Sequence, residues 1–328
     1  MNIFKVLFFA AAAIFIFNRC STDVDIYSDY KDITIVYGLL DKSEDTVWLK
    51  VTKAFLGEGN ALHFAKNPDS SNYANKLDVT LSGIKNGSEV QKLVFDTITI
   101  HNKQAGDSVF YYPDQLMYYA VTPSGLNADA MYHLLIKKGN EDIEASTPVV
   151  NDFAITYPIY KITFKYDKEI QWNSAKNGKR YEVSLTFHYK ELLPNTTDTL
   201  DKSISWSLGV KKSAGTEGNE PMGAAYSGEQ FYSLLENSLE PVLNVKRWAG
   251  NVDVKIACGS DDFNTYYEVN NTGGGSLQEV PAFTNIEGKN SIGLLAARHN
   301  VVKISKLSSD SELKLVNEYK ELGFILNR

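Results

Sequence analysis

From Ile33 onward, apolar residues recur at every second position in short runs broken by polar turns. "ITIVYGLL", "TVWLKVT", "KLDVTLSG" and "KLVFDTITI" each alternate in this way, with "DKSED" and "IKNGSEV" between members of the set. A period of two places one side-chain face in a core and the other in water, so these runs predict strands of antiparallel sheets. The stretch "GLNADAMYHLLIKKGNEDIEASTPVV" is more specific. Leu126 precedes Tyr132 by six residues, and Leu134 and Ile136 alternate after it. That spacing matches the tyrosine corner of immunoglobulin and fibronectin-type sandwiches, where the hydroxyl returns to the backbone at a strand crossing. A ligand contact is the competing role for Tyr132. The expected first unit is therefore an immunoglobulin/fibronectin-like β-sandwich over 33–150.

Beyond Val150 the alternation restarts. "YEVSLTFHY" sets Tyr181, Val183, Leu185, Phe187 and Tyr189 on one face, and "ISWSLGV" repeats the pattern with Ile204, Trp206, Leu208 and Val210. Two segments change period. "SGEQFYSLLENSLEP" stacks Phe231, Leu234, Leu235 and Leu239 at helical spacing, with Ser227 and Gln230 placed for a capping box and Pro241 as a stop. "SSDSELKLVNEYKELG" offers Ser309 and Glu312 as a second box and Gly323 as its end. The expectation is a mainly β chain, with a second antiparallel β domain over 151–328 carrying short helices near 228–239 and 310–322.

The first residues read differently. Met1 to Lys5 carry one positive charge, and Val6 to Phe17 form an apolar run of twelve residues. A membrane-spanning helix needs about 20 such residues, so this run reads as the apolar region of a secretory leader. Cys20 follows it directly. A cysteine there fits lipoprotein processing, in which residues 1–19 are removed and the thiol of the new N-terminus carries a diacylglycerol. Arg19 departs from the small residue usual before such a cysteine, and the competing reading is a poorly cleaved leader with an unmodified Cys20. Residues 20–32, with Asp23, Asp25, Asp29 and Asp32, form an acidic tether. Acidic residues just after the cysteine resemble the surface-export signals of Bacteroidota lipoproteins.

Charge and cysteine content narrow the function. The chain has 33 basic and 40 acidic residues, and loss of Lys5 and Arg19 with the leader makes its net charge −9. Nothing in that balance favours nucleic acid or anionic lipid, because affinity for phosphate comes mainly from Lys and Arg. Cys20 and Cys258 are the two cysteines; with Cys20 acylated no disulfide can form. Cys258 closes "VDVKIAC" on the face of Val252, Val254 and Ile256, which suits an apolar filler better than a nucleophile.

The layout as a whole resembles a Bacteroidota outer-membrane lipoprotein family known as domain of unknown function four-two-four-nine. The resemblance rests on the lipidated cysteine and the first strand pair "ITIVYGLLDKSEDTVWLKVTKAF", followed by "YHLLIKKGNEDIEASTPVV". A second β unit opens with "IQWNSAKNGKRYEVSLTFHY", and "PAFTNIEGKNSIGLLAARH" closes it with Asn285, Ile286, Gly288 and Gly293 in the family-like pattern. It covers nearly all of the mature chain. It implies a TonB-dependent outer-membrane transporter as partner, and no catalytic residues carry over.

Candidate chemistry is sparse. The five histidines are scattered, and none forms a helical zinc pair. No Gly-x-Ser-x-Gly elbow occurs. "NTGGGS" lacks a phosphate-loop lysine, and "GSDDFN" lacks calcium-loop spacing, so both read as solvated connections. No cofactor or metal is expected. Aromatic weight is what stands out, above all "VFYYPDQLMYY", which nominates Tyr111, Tyr112, Tyr118 and Tyr119 as a partner or ligand surface together with the long connection from Leu56 to Asn75. The favoured function is a non-enzymatic surface lipoprotein that binds a ligand or a transporter. The competing ones are an envelope enzyme, such as a glycan hydrolase with acids drawn from distant loops, and a structural adhesin.

Overall fold

A computed structural model describes residues 33–54, 67–101, 114–271 and 283–326. The fold is mainly β and sandwich-like. Strands β1 (Thr34–Leu40), β2 (Thr46–Lys53), β5 (Asp96–Ile100) and β6 (Gln115–Val121) lie in the order β1-β2-β6-β5. Opposite them, β3 (Asp78–Lys85), β4 (Ser88–Val94), β7 (Met131–Lys138) and β8 (Glu141–Pro148) form a sheet in the order β4-β3-β7-β8. This is the strand distribution of an immunoglobulin-type sandwich. The alternate residues anticipated from the sequence fill its interior: Val36, Leu49, Val51 and Ala120 face Val79, Leu81, Leu134 and Ile136, all buried. Asn86 and Gly87, both at positive φ (52° and 77°), make the two-residue turn between β3 and β4.

Tyr132 takes the corner role. It is fully buried, its hydroxyl accepts from the Asn127 N–H at 2.6 Å, and it donates to Gln91 Oε1 at 2.6 Å. Burial pushes the phenol up to about 12. A second tyrosine does the same work later in the chain: Tyr181 Oη, also fully buried, accepts from the Ala175 N–H at 2.8 Å. In each case the phenol satisfies a backbone donor in the loop leading into its strand, which would otherwise be stranded away from water.

The later half contributes β12 (Arg180–Leu192), β13 (Leu200–Lys212), β15 (Lys246–Gly259) and β16 (Ser291–Leu307). These lie in the antiparallel order β13-β12-β15-β16, with the short β10 (Lys161–Ile162) also on β16. Here the structure corrects a division of the sheets at residue 150. The second half of β16 pairs antiparallel with β15, whereas its first seven residues pair in parallel with β1, Thr34 opposite Ser291 and Leu40 opposite Ala297. Strands from both expected units thus share one nine-stranded sheet, and its parallel pair departs from the expected antiparallel pattern. The physical reason is length: a strand of 17 residues reaches about 55 Å, enough to serve two neighbours in succession.

The first half of β16 is held on its other side by side chains. Asn285 forms both bonds of a strand neighbour, its Nδ2 donating to Leu295 O (2.7 Å) and its Oδ1 accepting from Leu295 N (2.9 Å). Thr284 Oγ1 accepts from Gly293 N, and Ser260 Oγ accepts from Ala297 N. Ile286 is buried, and Glu287 bridges to Glu144 of β8. Gly293 has φ +133°, and a side chain there would collide with the Val36 carbonyl.

A three-stranded sheet of β14 (Pro221–Tyr226), β11 (Lys168–Asn173) and β9 (Ile155–Tyr157) completes the layers. Its inner residues join an aromatic core in which Phe164 stacks on Phe231 at 3.9 Å and meets Tyr226 and Trp206. There are four short helices among the described residues: α1 (Pro68–Ser71), α2 (Gly228–Ser238), α3 (Asp261–Asn271) and α4 (Ser309–Glu318). Helices α2 and α4 fall where expected, but their caps differ. Ser227 makes no side-chain cap bond; Asp167 Oδ1 accepts from Gly228 N instead, at 3.1 Å. On α4 the cap is Ser308, one residue earlier than anticipated, accepting from Ser311 N. Helix α3 replaces the expected solvated turn at "GSDDFN". Its Asn, Thr and Asp content gives it little intrinsic preference for helix, whereas Asp261 and Asp262 in the first turn suit the positive end of its dipole.

Cys258 is 1% exposed on the inner face of β15, and burial pushes its thiol up to about 12. Cys258 is therefore expected to stay unlabelled by maleimide or iodoacetamide in the native protein and to react on unfolding; rapid native labelling would contradict the packing.

Candidate partner surface

The outward positions of β1, β2, β5 and β6 carry apolar and aromatic residues on both sides of Lys50 and Thr52, which stand on β2 opposite Tyr37 and Ile35. The ladder places Trp48 opposite Tyr119, Ile98 opposite Met117 and Ile35 opposite Ile292. Directly opposed residues share a face, so these side chains lie together on the side away from the sandwich core. Tyr37 (42%), Trp48 (41%), Ile98 (44%), Ile292 (45%) and Val121 (57%) remain substantially exposed. Trp48 and Tyr119 pack with ring centroids 5.8 Å apart. Tyr37 meets Tyr266 of α3 edge-on at 6.2 Å, with the hydroxyls 3.3 Å apart. The hydrogen bond to Tyr266, with burial adding to it, pushes the Tyr37 phenol up to about 12. Such rings combine apolar area with a polar rim, which suits a contact surface.

Of the nominated tyrosines, Tyr119 lies on this face. Tyr118 does not: it is 1% exposed, points into the sandwich, and accepts from Leu77 N at 3.0 Å. The correction follows from the pleat, which sends adjacent residues of β6 to opposite faces. Tyr111, Tyr112 and Cys20 lie outside the described residues, as does most of the connection from Leu56 to Asn75. Its last part is anchored, with Tyr73 Oη 2.7 Å from Thr34 Oγ1 at the start of β1. Sequence reasoning passed over Tyr37, Trp48, Ile98 and Ile292. The available signal was an aromatic or β-branched residue at the outward phase of an alternating run.

A second constellation was also missed, because its members are far apart in sequence. Asp41, 5% exposed in the β1–β2 turn, lies 3.5 Å from Nδ1 of His299, which is 7% exposed on β16. The other ring nitrogen is 3.2 Å from Asp152, which accepts from Lys42 Nζ at 2.7 Å. Burial alone would raise the Asp41 carboxyl, yet His299 and the Ser43 hydroxyl and N–H hold it below its ordinary range. The Ser43 hydroxyl donates to Asp41 at 2.6 Å, which is not the serine-to-imidazole bond of an activated nucleophile. The group brings together the β1–β2 turn, the connection after Val150, and β16.

Other polar pairs lie elsewhere. His188 Nε2 is 2.9 Å from Asp253 on the outer face of β12 and β15. Shallow depressions of about 300 and 450 Å³ lie beside Lys76, Asp78 and Lys137, and beside Glu169, Gln171 and Asn173. Neither is lined by a histidine or cysteine. Among the described residues no group of three or more His, Cys, Asp or Glu is placed to hold a metal, and no helix is long and apolar enough to cross a membrane.

Comparison with known proteins adds little. No protein-family model matches the chain, and no curated protein is similar to it. Among solved structures, a trypsin-activated alpha-2-macroglobulin from Escherichia coli aligns at 11% identity over 70% of this chain and 14% of its own, with a TM-score of 0.16. A Bacteroides uniformis beta-glucuronidase aligns at 11% identity over 84% of this chain and 26% of its own, with a TM-score of 0.14. The chain thus spans a small part of either protein, and likeness at this level carries no argument about function.

Proposed function

We propose that this chain is a non-enzymatic outer-membrane lipoprotein, anchored through Cys20, exposed at the cell surface, and acting beside a TonB-dependent transporter or a ligand it delivers. The observation that carries this reading is the exposed aromatic and aliphatic face of β1, β2, β5 and β6, an area suited to contact rather than reaction. The leader that ends at Cys20, the acidic tether and the family-like segments support it from the sequence. A lipid anchor confines the protein to the plane of its partner and raises the effective concentration, so a modest interface suffices. Gentle crosslinking and affinity purification from detergent-solubilised membranes should recover a β-barrel protein with this chain. Recovery of the chain alone counts against the reading, and turnover of a glycan or peptide by the purified protein would move it to the enzyme class.

A further inference from the structure

The aromatic face has features that point to what covers it. Its largest exposed side chains are Trp48 and Tyr37, with Tyr119 packed against Trp48, and Ile98, Val121 and Ile292 around them. Trp and Tyr are the residues enriched where a bilayer meets water, because each offers an apolar ring and a polar edge at headgroup depth. The chain also enters the fold at this sheet: β1 begins at Thr34, beside Ile35 and Ile292 of the same face. The tether from 20 to 32 has thirteen residues and spans at most about 45 Å when extended. An anchor at Cys20 thus keeps the face within reach of the membrane at all times. The net charge of −9 left once residues 1–19 are removed makes electrostatic attraction to anionic lipid the wrong explanation, which leaves the rings to supply the contact.

We infer that the part of this face away from α3 lies against the bilayer surface, with Trp48 and Tyr119 at the level of the lipid headgroups. The inference rests on the lipid-anchored reading above. It names the lipid surface, rather than a soluble ligand or a barrel protein, as what that contact area covers.

The four tryptophans make this measurable, since Trp172 is buried, Trp206 and Trp248 are half-buried, and Trp48 lies on the face in question. The full-length lipidated protein is reconstituted on phosphatidylcholine vesicles whose acyl chains are brominated either close to the headgroup or near the chain end. The shallow bromines are expected to quench part of the fluorescence, the deep ones less, and Trp48→Phe should remove the quenchable part. Tyr119→Glu, at an outward position, should abolish quenching while flotation with vesicles persists. Vesicle-bound protein whose Trp48 is not quenched overturns the inference and leaves the lipoprotein reading standing. Failure to float at all, with Cys20 unmodified by mass spectrometry, overturns both. Shielding of Trp48 by a copurifying barrel protein also overturns the inference and assigns the face to that protein.

Discussion

Gly293→Ala is expected to destabilise the protein by about 4 kcal/mol or more, among the largest effects any single methyl group could have here. The residue sits at φ +133°, where a side chain is strained whatever the space. The space is also missing: a Cβ would overlap the Val36 carbonyl oxygen and lie 2.8 Å from its carbon. The obstacle is backbone, so no rotamer change relieves it. Relief would require β1 and β16 to part along the parallel ladder that joins Val36 to Gly293. Urea unfolding checks the expectation, and a midpoint within error of the wild type would show that the strands are not held this closely. Val302→Ala, at an outward and 53% exposed position of the same strand, serves as the mild control.

Arg247→Ala should cost about 3–5 kcal/mol for a different reason. Arg247 is 1% exposed, and its guanidinium serves three acceptors at once: the Glu191 carboxylate at 2.8 Å, Leu322 O at 2.7 Å and Glu240 O at 3.1 Å. Removing it leaves a carboxylate buried without its counter-charge and two carbonyls without donors. Lysine should not rescue, because a point charge cannot reproduce the planar fork. Replacing both Arg247 and Glu191 by methionine should recover the part due to the unpaired carboxylate, while the Leu322 and Glu240 carbonyls stay without their donor. Main-chain bonds from Arg247 N to Gly323 O and from Ile325 N to Arg247 O tie the C-terminal segment to β15 beside this pair. Hydrogen exchange in residues 320–326 should accordingly accelerate in Arg247→Ala. Unchanged exchange there would mean that the backbone bonds alone secure the segment.

How far the sequence could be read depended on whether the cause was local. Tyr181 to Tyr189 alternate visibly because one face of β12 is buried along its whole length. The corner at Tyr132 was legible because its hydroxyl reaches only five residues back. Helix α2 was legible as a stripe, but its cap was not, because Asp167 arrives from another part of the chain. Tyr118 and Tyr119 looked like one cluster until the pleat separated them. The pairing of β1 with β16, the Asp41–His299–Asp152 group and the Asn285 clamp have no local signature at all. Each is a meeting of segments that neither periodicity nor turn chemistry can bring together on paper. Within the family-like pattern Asn285, Ile286, Gly288 and Gly293, the backbone collision at Val36 and the paired bonds to Leu295 give Gly293 and Asn285 a physical cause.

The shared sheet has a consequence for the order of events in folding. The ladder joins Thr34, near the start of the chain, to Ser291, near its end, so this contact closes one of the longest loops the polypeptide can form. Chains dominated by such distant pairings fold slowly, because the entropy of closure is lost before the bonds are made. Until β16 is in place, β1 pairs with β2 on one side and keeps its other edge unpaired. An open strand edge is a template for pairing with other chains. The folding chain therefore passes through an interval in which this edge of its first strand is open to misassociation, and that interval ends only when the parallel ladder closes.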